Sequence, residues 1–214
     1  VFMAGPAAMT VADTLWKAQD MFYKAANTGV YSSFSKRPNL ERNRAIQKVH
    51  QLVKSPALEE ALGLLGDKAP EWLNNMERMY RGHLGAVQLN ELPGGEYRSS
   101  QPAKGSLQEN MATYTSYTMA EKGVVPGDIV WVVGPNNTLS PTVGRKSAAA
   151  ERWITQVWDD PRSEVRRKHN AYNDYLSAYQ AVINMKDKMG GRSGSSVQAQ
   201  ETFLMHTAVV LNGS

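Results

Sequence analysis

The chain has 214 residues, among them 24 Lys and Arg, 20 Asp and Glu and no Cys. This length suffices for one domain with a sizeable hydrophobic core. The absence of cysteine excludes a disulfide framework, a thiolate zinc site and a cysteine nucleophile, and no run approaches the ~18 apolar residues of a membrane-spanning helix. The formal net charge of +4 is small, so it bears on function only where the cations cluster.

The N-terminal part of the sequence predicts helices. The first ten residues, VFMAGPAAMT, do not have the pattern of a signal peptide and suggest a trimmed or processed terminus. Apolar residues then recur at helical spacing over about residues 10–27, and Gly29 ends that helix. A second helix, LERNRAIQKVHQLVKS, has the apolar stripe Ala45, Val49, Leu52 and Val53 and ends near Ser55-Pro56. Shorter helices follow at ALEEALGLLG and PEWLNNMERMYRGHL.

The middle of the sequence changes in composition. Residues from about 88 to 105 are rich in Gly, Pro and Ser and predict a loop. Ser106, with Glu109 three residues later, is typical of the start of a helix. Residues 128–133, DIVWVV, predict a strand between two Pro/Gly turns. Its expected partner is the stretch around Thr142-Val143 or a strand of another chain.

The last third of the sequence again predicts helices. They are RKSAAAERWITQVWDD, a long helix from Pro161 to about Met189 with Asp160 as its cap, and VQAQETFLMHTAVVL. We therefore predict a mainly α fold, a helical bundle with an extended N-terminal helical arm and a small irregular or β insertion around residues 125–145. The predicted domains are an arm with a basic helix over residues 1–55 and a helical core over 56–214, with the loop and strand insertion at 88–145.

The sequence has none of the common catalytic or metal-binding motifs. His50, His83, His169 and His206 each stand alone in the sequence, without HExxH spacing. The segment PGDIVWVVGPNN lacks the helix and lysine of a phosphate-binding loop. Neighbouring carboxylates occur at Glu59-Glu60 and Asp159-Asp160, but adjacent helical residues point about 100° apart. We therefore predict that the protein is not an enzyme and uses no cofactor or metal.

Cations cluster first between residues 36 and 54. They are Lys36, Arg37, Arg42, Arg44, Lys48 and Lys54, against Glu41 alone, which gives this span a net charge of +5. On a helix Arg37, Arg44 and Lys48 share one face, opposite the apolar stripe. A solvated polar face usually carries acids for pairing four residues apart, and here they are nearly absent. The pattern favours contact with nucleic acid or another polyanion.

A second cluster lies where the long helix is expected to begin. Its cations are Arg162, Arg166, Arg167 and Lys168, and His169 is expected on the same face as Arg162 and Arg166. Cations are disfavoured at the positive end of a helix dipole, whereas a phosphate backbone would compensate them. The alternative is that Asp159, Asp160 and Glu164 neutralise the cluster locally. A third, smaller group consists of Arg145, Lys146 and Arg152.

Aromatic residues accompany the second cluster. Tyr172, Tyr175 and Tyr179 repeat at helical spacing, and Trp153 and Trp158 precede them. The spacing favours packing in a core or subunit contact, with stacking on bases as the alternative. We therefore expect contacts with the phosphate backbone, which position a protein without reading sequence.

Separate basic helix faces without catalytic motifs predict a structural nucleoprotein. Four segments carry a resemblance to a known family: the helix TLWKAQDMFYKAAN, its basic sequel KRPNLERNRAIQKVH, and the late helices RRKHNAYNDYLSAYQAVINMK and VQAQETFLMHTAVVL. Over about two thirds of the chain, their arrangement resembles that of the major capsid proteins of filamentous archaeal viruses, both rod-shaped and lipid-enveloped, whose helical subunits wrap double-stranded DNA.

The resemblance implies a location in the virion and a dimer formed with itself or with a paralogous capsid protein. It further implies a helical filament that encloses DNA in the A-form, and a possible contact with an envelope. Double-stranded DNA is accordingly favoured over RNA. The alternative hypothesis is a helical partner-binding or regulatory protein that docks on an acidic protein or a membrane surface.

Overall fold

The computed structural model of the chain describes residues 6–31, 38–84, 106–134, 138–189 and 199–213. This described part of the chain is mainly α, as predicted: it is 77% helical and includes a small two-stranded sheet. The predicted loop at 88–105, together with Lys36 and Arg37, lies outside the described residues.

The chain forms two compact units, which are described separately. Unit 1 contains Val1–His83 and Ser177–Ala199, and unit 2 contains Leu84–Leu176 and Gln200–Ser214. The long helix near the C-terminus contributes residues to both units. The domain boundary that we predict near residue 55 stays a prediction, because compactness does not decide which segments fold independently.

Unit 1 is helical in its described residues. Its elements are α1 (Pro6–Tyr31), α2 (Pro38–Val53), α3 (Pro56–Leu65), a 3₁₀ turn (Gly66–Lys68), α4 (Ala69–Leu84) and the second half of α7 (Glu164–Lys188). The first three helices begin at a proline. Proline has no backbone N–H, and at the first position of a helix an N–H would have no partner within the helix, so nothing is lost there. Helix α1 starts four residues earlier than the spacing of apolar residues predicts.

The predicted N-terminal arm, residues 1–55, includes α1 and α2, and both helices contribute buried residues to the core of unit 1. Phe22 is fully buried, and its ring meets those of Trp72 and Tyr80 of α4 edge-on, at centroid distances of 6.0 and 6.3 Å. The buried positions of α1 follow helical spacing: Val11, Leu15, Ala18 and Phe22. This spacing leaves the opposite face of α1 to solvent.

Polar contacts attach the second half of α7 to the other helices of unit 1. The Tyr179 hydroxyl donates a buried hydrogen bond of 2.7 Å to Glu77 Oε1 on α4. The Lys188 ammonium pairs with Glu59 of α3 at 3.2 Å, and both side chains are more than half exposed. The buried contact therefore contributes more to holding α7 than the exposed pair does.

Unit 2 combines helices with the hairpin. Its elements are α5 (Leu107–Glu121), β1 (Ile129–Val133), β2 (Leu139–Val143), α6 (Ala148–Trp153), a π-helical turn (Ile154–Trp158), the first half of α7 and α8 (Ala199–Leu211). The predicted start of α5 is confirmed, because Ser106 Oγ accepts a hydrogen bond from the Glu109 N–H at 3.2 Å. The predicted strand and its partner near Thr142-Val143 are also confirmed.

The hairpin register explains why a proline lies within β2. Trp131 faces Pro141 in an antiparallel pair. Backbone hydrogen bonds between Gly144 and Asp128 and between Gly134 and Thr138 lie at the two ends of the ladder. Pairs therefore alternate so that Trp131 and Pro141 form a non-hydrogen-bonded pair, in which the missing proline N–H costs no ladder bond.

An asparagine side chain covers the outer edge of β1 at Trp131. Asn212, after the end of α8, accepts the Trp131 N–H through Oδ1 at 2.8 Å, and its Nδ2 donates to the Trp131 carbonyl at 3.4 Å. The side chain thus provides the donor and acceptor that another strand would provide. This contact connects the end of α8 to the hairpin within unit 2.

Trp131 is the centre of an aromatic cluster that fills unit 2. Its indole meets Trp153 and Trp158 edge-on, at 6.0 and 5.2 Å, and stacks on the imidazole of His169 at 5.0 Å. In an α-helix, residues five apart lie about 140° apart around the axis. The π-helical turn, closed by the Asp159 N–H and the Ile154 carbonyl, widens the helix and lets both tryptophans point inward.

Candidate nucleic-acid interface

The clearest basic surface in the described structure lies on α2. We define the α2 basic face as Arg44 and Lys48 together with Lys54, which directly follows the helix. All three are exposed, whereas Ile46 and Val49 on the other side of the helix are buried. Arg44 and Lys48 face solvent as predicted. Of the predicted apolar stripe, Val49 is buried and the other three residues are partly buried, and the stripe omits Ile46, which is a core residue. Arg42 also lies in α2, but its side chain is outside the described residues.

The α2 basic face differs from the charged face of α1. On α1, Lys17 and Lys24 each bind an aspartate four residues earlier, at 2.8 Å. Glu41 is the only acidic residue in the sequence of α2, and no Asp or Glu occurs between residues 42 and 58. The cations of α1 are thus neutralised in place, whereas those of α2 leave a positive surface.

The beginning of α7 differs from the prediction. The helix begins at Glu164, not at Pro161, because Ser163 Oγ accepts the Arg166 N–H at 3.1 Å and caps the first turn. Asp160 accepts the Arg162 N–H at 2.9 Å and stabilises the preceding turn instead. The prediction that Arg162 shares a helix face with Arg166 is therefore wrong.

Local partners compensate three of the four cations near this helix start. Arg162 lies 4.0 Å from Asp160, and Lys168 lies 3.6 Å from Glu164 and donates to Asn110 of α5 at 2.8 Å. The Arg166 guanidinium lies 4.2 Å from the centroid of the Trp158 ring, a cation–π contact. Arg167 is exposed on the first turns of α7. These local contacts thus offset most of the cost of placing cations at the positive end of the helix dipole.

The third basic group is also partly neutralised. The Arg145 guanidinium donates to the Pro126 carbonyl and lies 3.5 Å from Asp128, with its side chain 62% exposed. Lys146 and Arg152 are exposed.

His169 belongs to the core and not to an anion-binding face. It is 3% exposed, stacks on Trp131 and forms a 3.0 Å hydrogen bond between its Nε2 and Thr115 Oγ1. Burial, followed by the nearby Arg166 charge, lowers the pKa of His169 to about 3. The expectation that His169 joins the basic cluster is wrong, because the helix start at Glu164 and the hairpin enclose it.

The neutral state of His169 makes the stability of unit 2 sensitive to acid. The unfolded chain takes up a proton near pH 6.5, whereas the folded chain takes it up only near pH 3. The free energy of unfolding therefore falls as pH decreases through this window, by up to about 1.4 kcal/mol per pH unit for one proton. Half-buried His206, whose pKa is also lowered, adds to the trend in unit 2, and half-buried His50 has an effect of the same sign in unit 1.

We expect His169→Phe to flatten this pH dependence by about one proton between about pH 6 and pH 4. Phenylalanine keeps a ring against Trp131 and removes the titrating group. Urea unfolding at several pH values measures the slope, and carboxylates contribute equally in both proteins. His50→Gln is the control and should change the slope less. An unchanged slope in His169→Phe would contradict the assignment.

The tyrosines of α7 are packing residues, as the spacing predicts. Tyr172, Tyr175 and Tyr179 are buried, and so are Trp153 and Trp158. Tyr172 bonds through its hydroxyl to Thr207 of α8 at 3.0 Å, and burial raises its pKa. These five aromatic rings are enclosed in the folded chain, so none of them offers a free face for a base.

Two further properties concern the described residues alone. Within these segments, no cluster of three or more His, Asp or Glu side chains has an arrangement that could hold a metal ion. In the same part of the chain, no helix combines the length and apolar character needed to cross a bilayer.

Comparisons with sequence families, curated proteins and solved structures find no match to this chain.

One surface feature of α1 is not among those predicted from the sequence. Met9, Trp16 and Tyr23 are exposed large side chains spaced seven residues apart on the face opposite the core. The seven-residue spacing is visible in the sequence, but the buried stripe of α1 accounts for the helix by itself. The exposed side of α1 therefore carries large apolar side chains beside its charged residues.

Proposed function

We propose that the protein is a structural nucleoprotein that coats nucleic acid without reading its sequence. The observation that carries the proposal is the α2 basic face, which is exposed and almost without acidic residues. Phosphate groups are the ligands that such a face suits, since side-chain cations replace the counterions of the backbone. This function requires no catalytic residue and no cofactor.

The contributions of the predicted contact residues are unequal in this proposal. Arg44 and Lys48 provide the main contacts, and Arg37, Lys36 and Arg42 extend the same region of the sequence. Arg162 and Arg167 are exposed and supply secondary contacts, together with Lys146 and Arg152. Arg145, Arg166 and Lys168 have structural partners, so their phosphate contacts would add to existing roles.

The finer form of the proposal is a capsid protein of a filamentous virus that packages double-stranded DNA. Its supports are the mainly α fold, the helical N-terminus followed by a basic helix, and the resemblance to the capsid proteins of filamentous archaeal viruses. In this form, the chain or a paralogue provides the second subunit of a dimer, and dimers assemble along the DNA into a virion.

The salt dependence of DNA binding tests the α2 basic face. Each phosphate contact contributes about 0.9 to the slope of log K against log salt concentration. We expect Arg44→Glu with Lys48→Glu to reduce the slope by about 1.8 and the affinity at ~0.1 M salt by roughly 60-fold or more. The loss should be equal for duplexes of different sequence, as measured by fluorescence anisotropy.

A control variant separates the effect of the α2 basic face on DNA binding from the effect of the net charge of the chain. Lys68→Glu with Lys122→Glu changes the charge of the chain by the same amount at two exposed positions outside the three basic groups. This control should keep a slope close to that of the wild type. Equal losses in both variants would mean that the α2 face has no special role, and an absence of any binding by the wild type would reject the proposal.

A further inference from the structure

The exposed face of α1 carries two parallel stripes of different character. The first, the aromatic stripe, is Met9, Trp16 and Tyr23, with exposures of 75%, 67% and 57%. The second, the charged stripe, runs beside it and consists of Asp13, Lys17, Asp20 and Lys24. Helical geometry places the two stripes within about 120° of the circumference. Large exposed apolar side chains aligned beside charges are typical of an interaction surface.

The charges of α1 complement those of a second copy of α1 only when the second helix runs in the opposite direction. Read forward, the charged stripe is acid, base, acid, base; read backward, it is base, acid, base, acid. Two parallel copies would set the charged stripe of one helix against the aromatic stripe of the other. An antiparallel pair related by a two-fold axis sets each stripe against the same stripe of its partner.

One register of the antiparallel pair satisfies both charge contacts. In an antiparallel pair, residues at the same height along the axis have residue numbers with a constant sum. Asp13 with Lys24 of the partner subunit has the same sum as Lys17 with Asp20 of the partner subunit. One register therefore places both pairs at the same height. In this register Trp16 lies two residues, or about 3 Å along the axis, from the level of Tyr23 of the partner subunit. The aromatic side chains of the two copies therefore interleave in the register that the charges select.

From these observations, the geometry points to α1 as a homodimer interface that pairs antiparallel with α1 of a second copy. The interleaved Trp16 and Tyr23 rings supply most of the affinity, as buried aromatic anchors do in other interfaces. The charged stripe, whose aspartates and lysines already pair within each helix, adds little affinity but selects the register and direction of the pair.

The surroundings of the aromatic stripe fit this occupant. A shallow groove of about 160 Å³ between α1 and α4 is lined by Trp16, Gln19, Asp20, Tyr23, Met76 and Met79. Partly exposed Met79 extends the apolar surface beyond α1 and buried Met76 lies beneath it, so a partner's aromatic ring can be accommodated there without meeting a further charge. The inference needs no nucleic acid and does not rest on the proposed function.

Complementary charge variants test the pairing in the full chain, freed of nucleic acid by a high-salt wash. One variant, Asp13→Lys with Asp20→Lys, makes the charged stripe fully basic, and the other, Lys17→Asp with Lys24→Asp, makes it fully acidic. We expect wild-type dimers with a dissociation constant on the order of micromolar. Each variant alone should dimerise at least tenfold more weakly, and an equimolar mixture should regain the wild-type affinity, as measured by sedimentation velocity at low salt.

Aromatic variants provide the second arm of the test. Trp16→Ala should weaken self-association at least tenfold, whereas Tyr117→Ala, which removes an aromatic residue of similar exposure from α5, should not. If the wild type forms larger assemblies, the difference between these variants still reports the α1 contact. A wild type that stays monomeric at ~0.5 mM, or a mixture of charge variants that does not associate, would overturn the inference. Binding of a monomeric wild type to anionic vesicles through Trp16 would likewise overturn it, in favour of a lipid surface.

Discussion

Trp131→Ala is expected to reduce the free energy of unfolding of unit 2 by about 3–5 kcal/mol. Trp131 is 2% exposed and is the ring that Trp153, Trp158 and His169 all contact. Removing it leaves a cavity that the hairpin cannot fill, because β1 is held on one side by β2 and on the other by Asn212. Urea unfolding followed by circular dichroism measures the loss.

Two variants control this prediction. Trp16→Ala is the same substitution at an exposed position and should change stability by no more than about 0.5 kcal/mol in the monomer. Trp131→Phe should cost less than Trp131→Ala, because a ring remains and the buried indole N–H has no hydrogen-bond partner to lose among the described residues. A loss below about 1 kcal/mol for Trp131→Ala would show that the cluster does not stabilise the unit.

Glu77→Ala is expected to destabilise unit 1 by about 2–4 kcal/mol, because it removes a buried, charge-assisted contact. Glu77 is 8% exposed, accepts the Tyr179 hydroxyl at 2.7 Å and lies 3.7 Å from the Arg81 guanidinium. Tyr179→Phe should cost about 1.5–3 kcal/mol, since one hydrogen bond to a carboxylate is lost.

The double variant makes this prediction specific to the contact. Glu77→Ala with Tyr179→Phe should cost clearly less than the two single losses added together, because both substitutions remove the same bond. Chemical unfolding of the four proteins gives the coupling energy. Additive losses would mean that the hydrogen bond contributes nothing beyond the separate packing of the two side chains.

The fold was predictable where one local pattern had one physical explanation. Tyrosines three and four residues apart predicted the buried side of α7, and Ser106 with Glu109 predicted the start of α5. The apolar DIVWVV segment between two Pro/Gly turns predicted β1. In each case, periodicity or capping chemistry decides the structure without help from distant residues.

The beginning of α7 was not predictable in the same way. Asp160 and Ser163 are both acceptable caps, and the choice depends on Ser163 Oγ, which also donates to the Val157 carbonyl at 2.6 Å at the end of the π-helical turn. That turn allows both Trp153 and Trp158 to be buried. The burial of His169 depends in turn on Trp131, which is distant in sequence.

The basic residues show the same division. Arg44 and Lys48 were placed correctly because an amphipathic helix fixes which residues face solvent. The partners of Arg145, Arg166 and Lys168 are Asp128, Trp158 and Asn110, which belong to other elements. Sequence alone could count these cations, but only the fold shows that they already have contacts within the chain.

The central claim, that the chain coats nucleic acid, is tested most directly by mixing purified protein with linear double-stranded DNA of several lengths. The complexes are examined by negative-stain microscopy and by their absorbance ratio at 260 and 280 nm. We expect filaments whose length increases with that of the DNA and which disassemble at high salt. A monomer that neither binds the DNA at low salt nor forms filaments would contradict the claim.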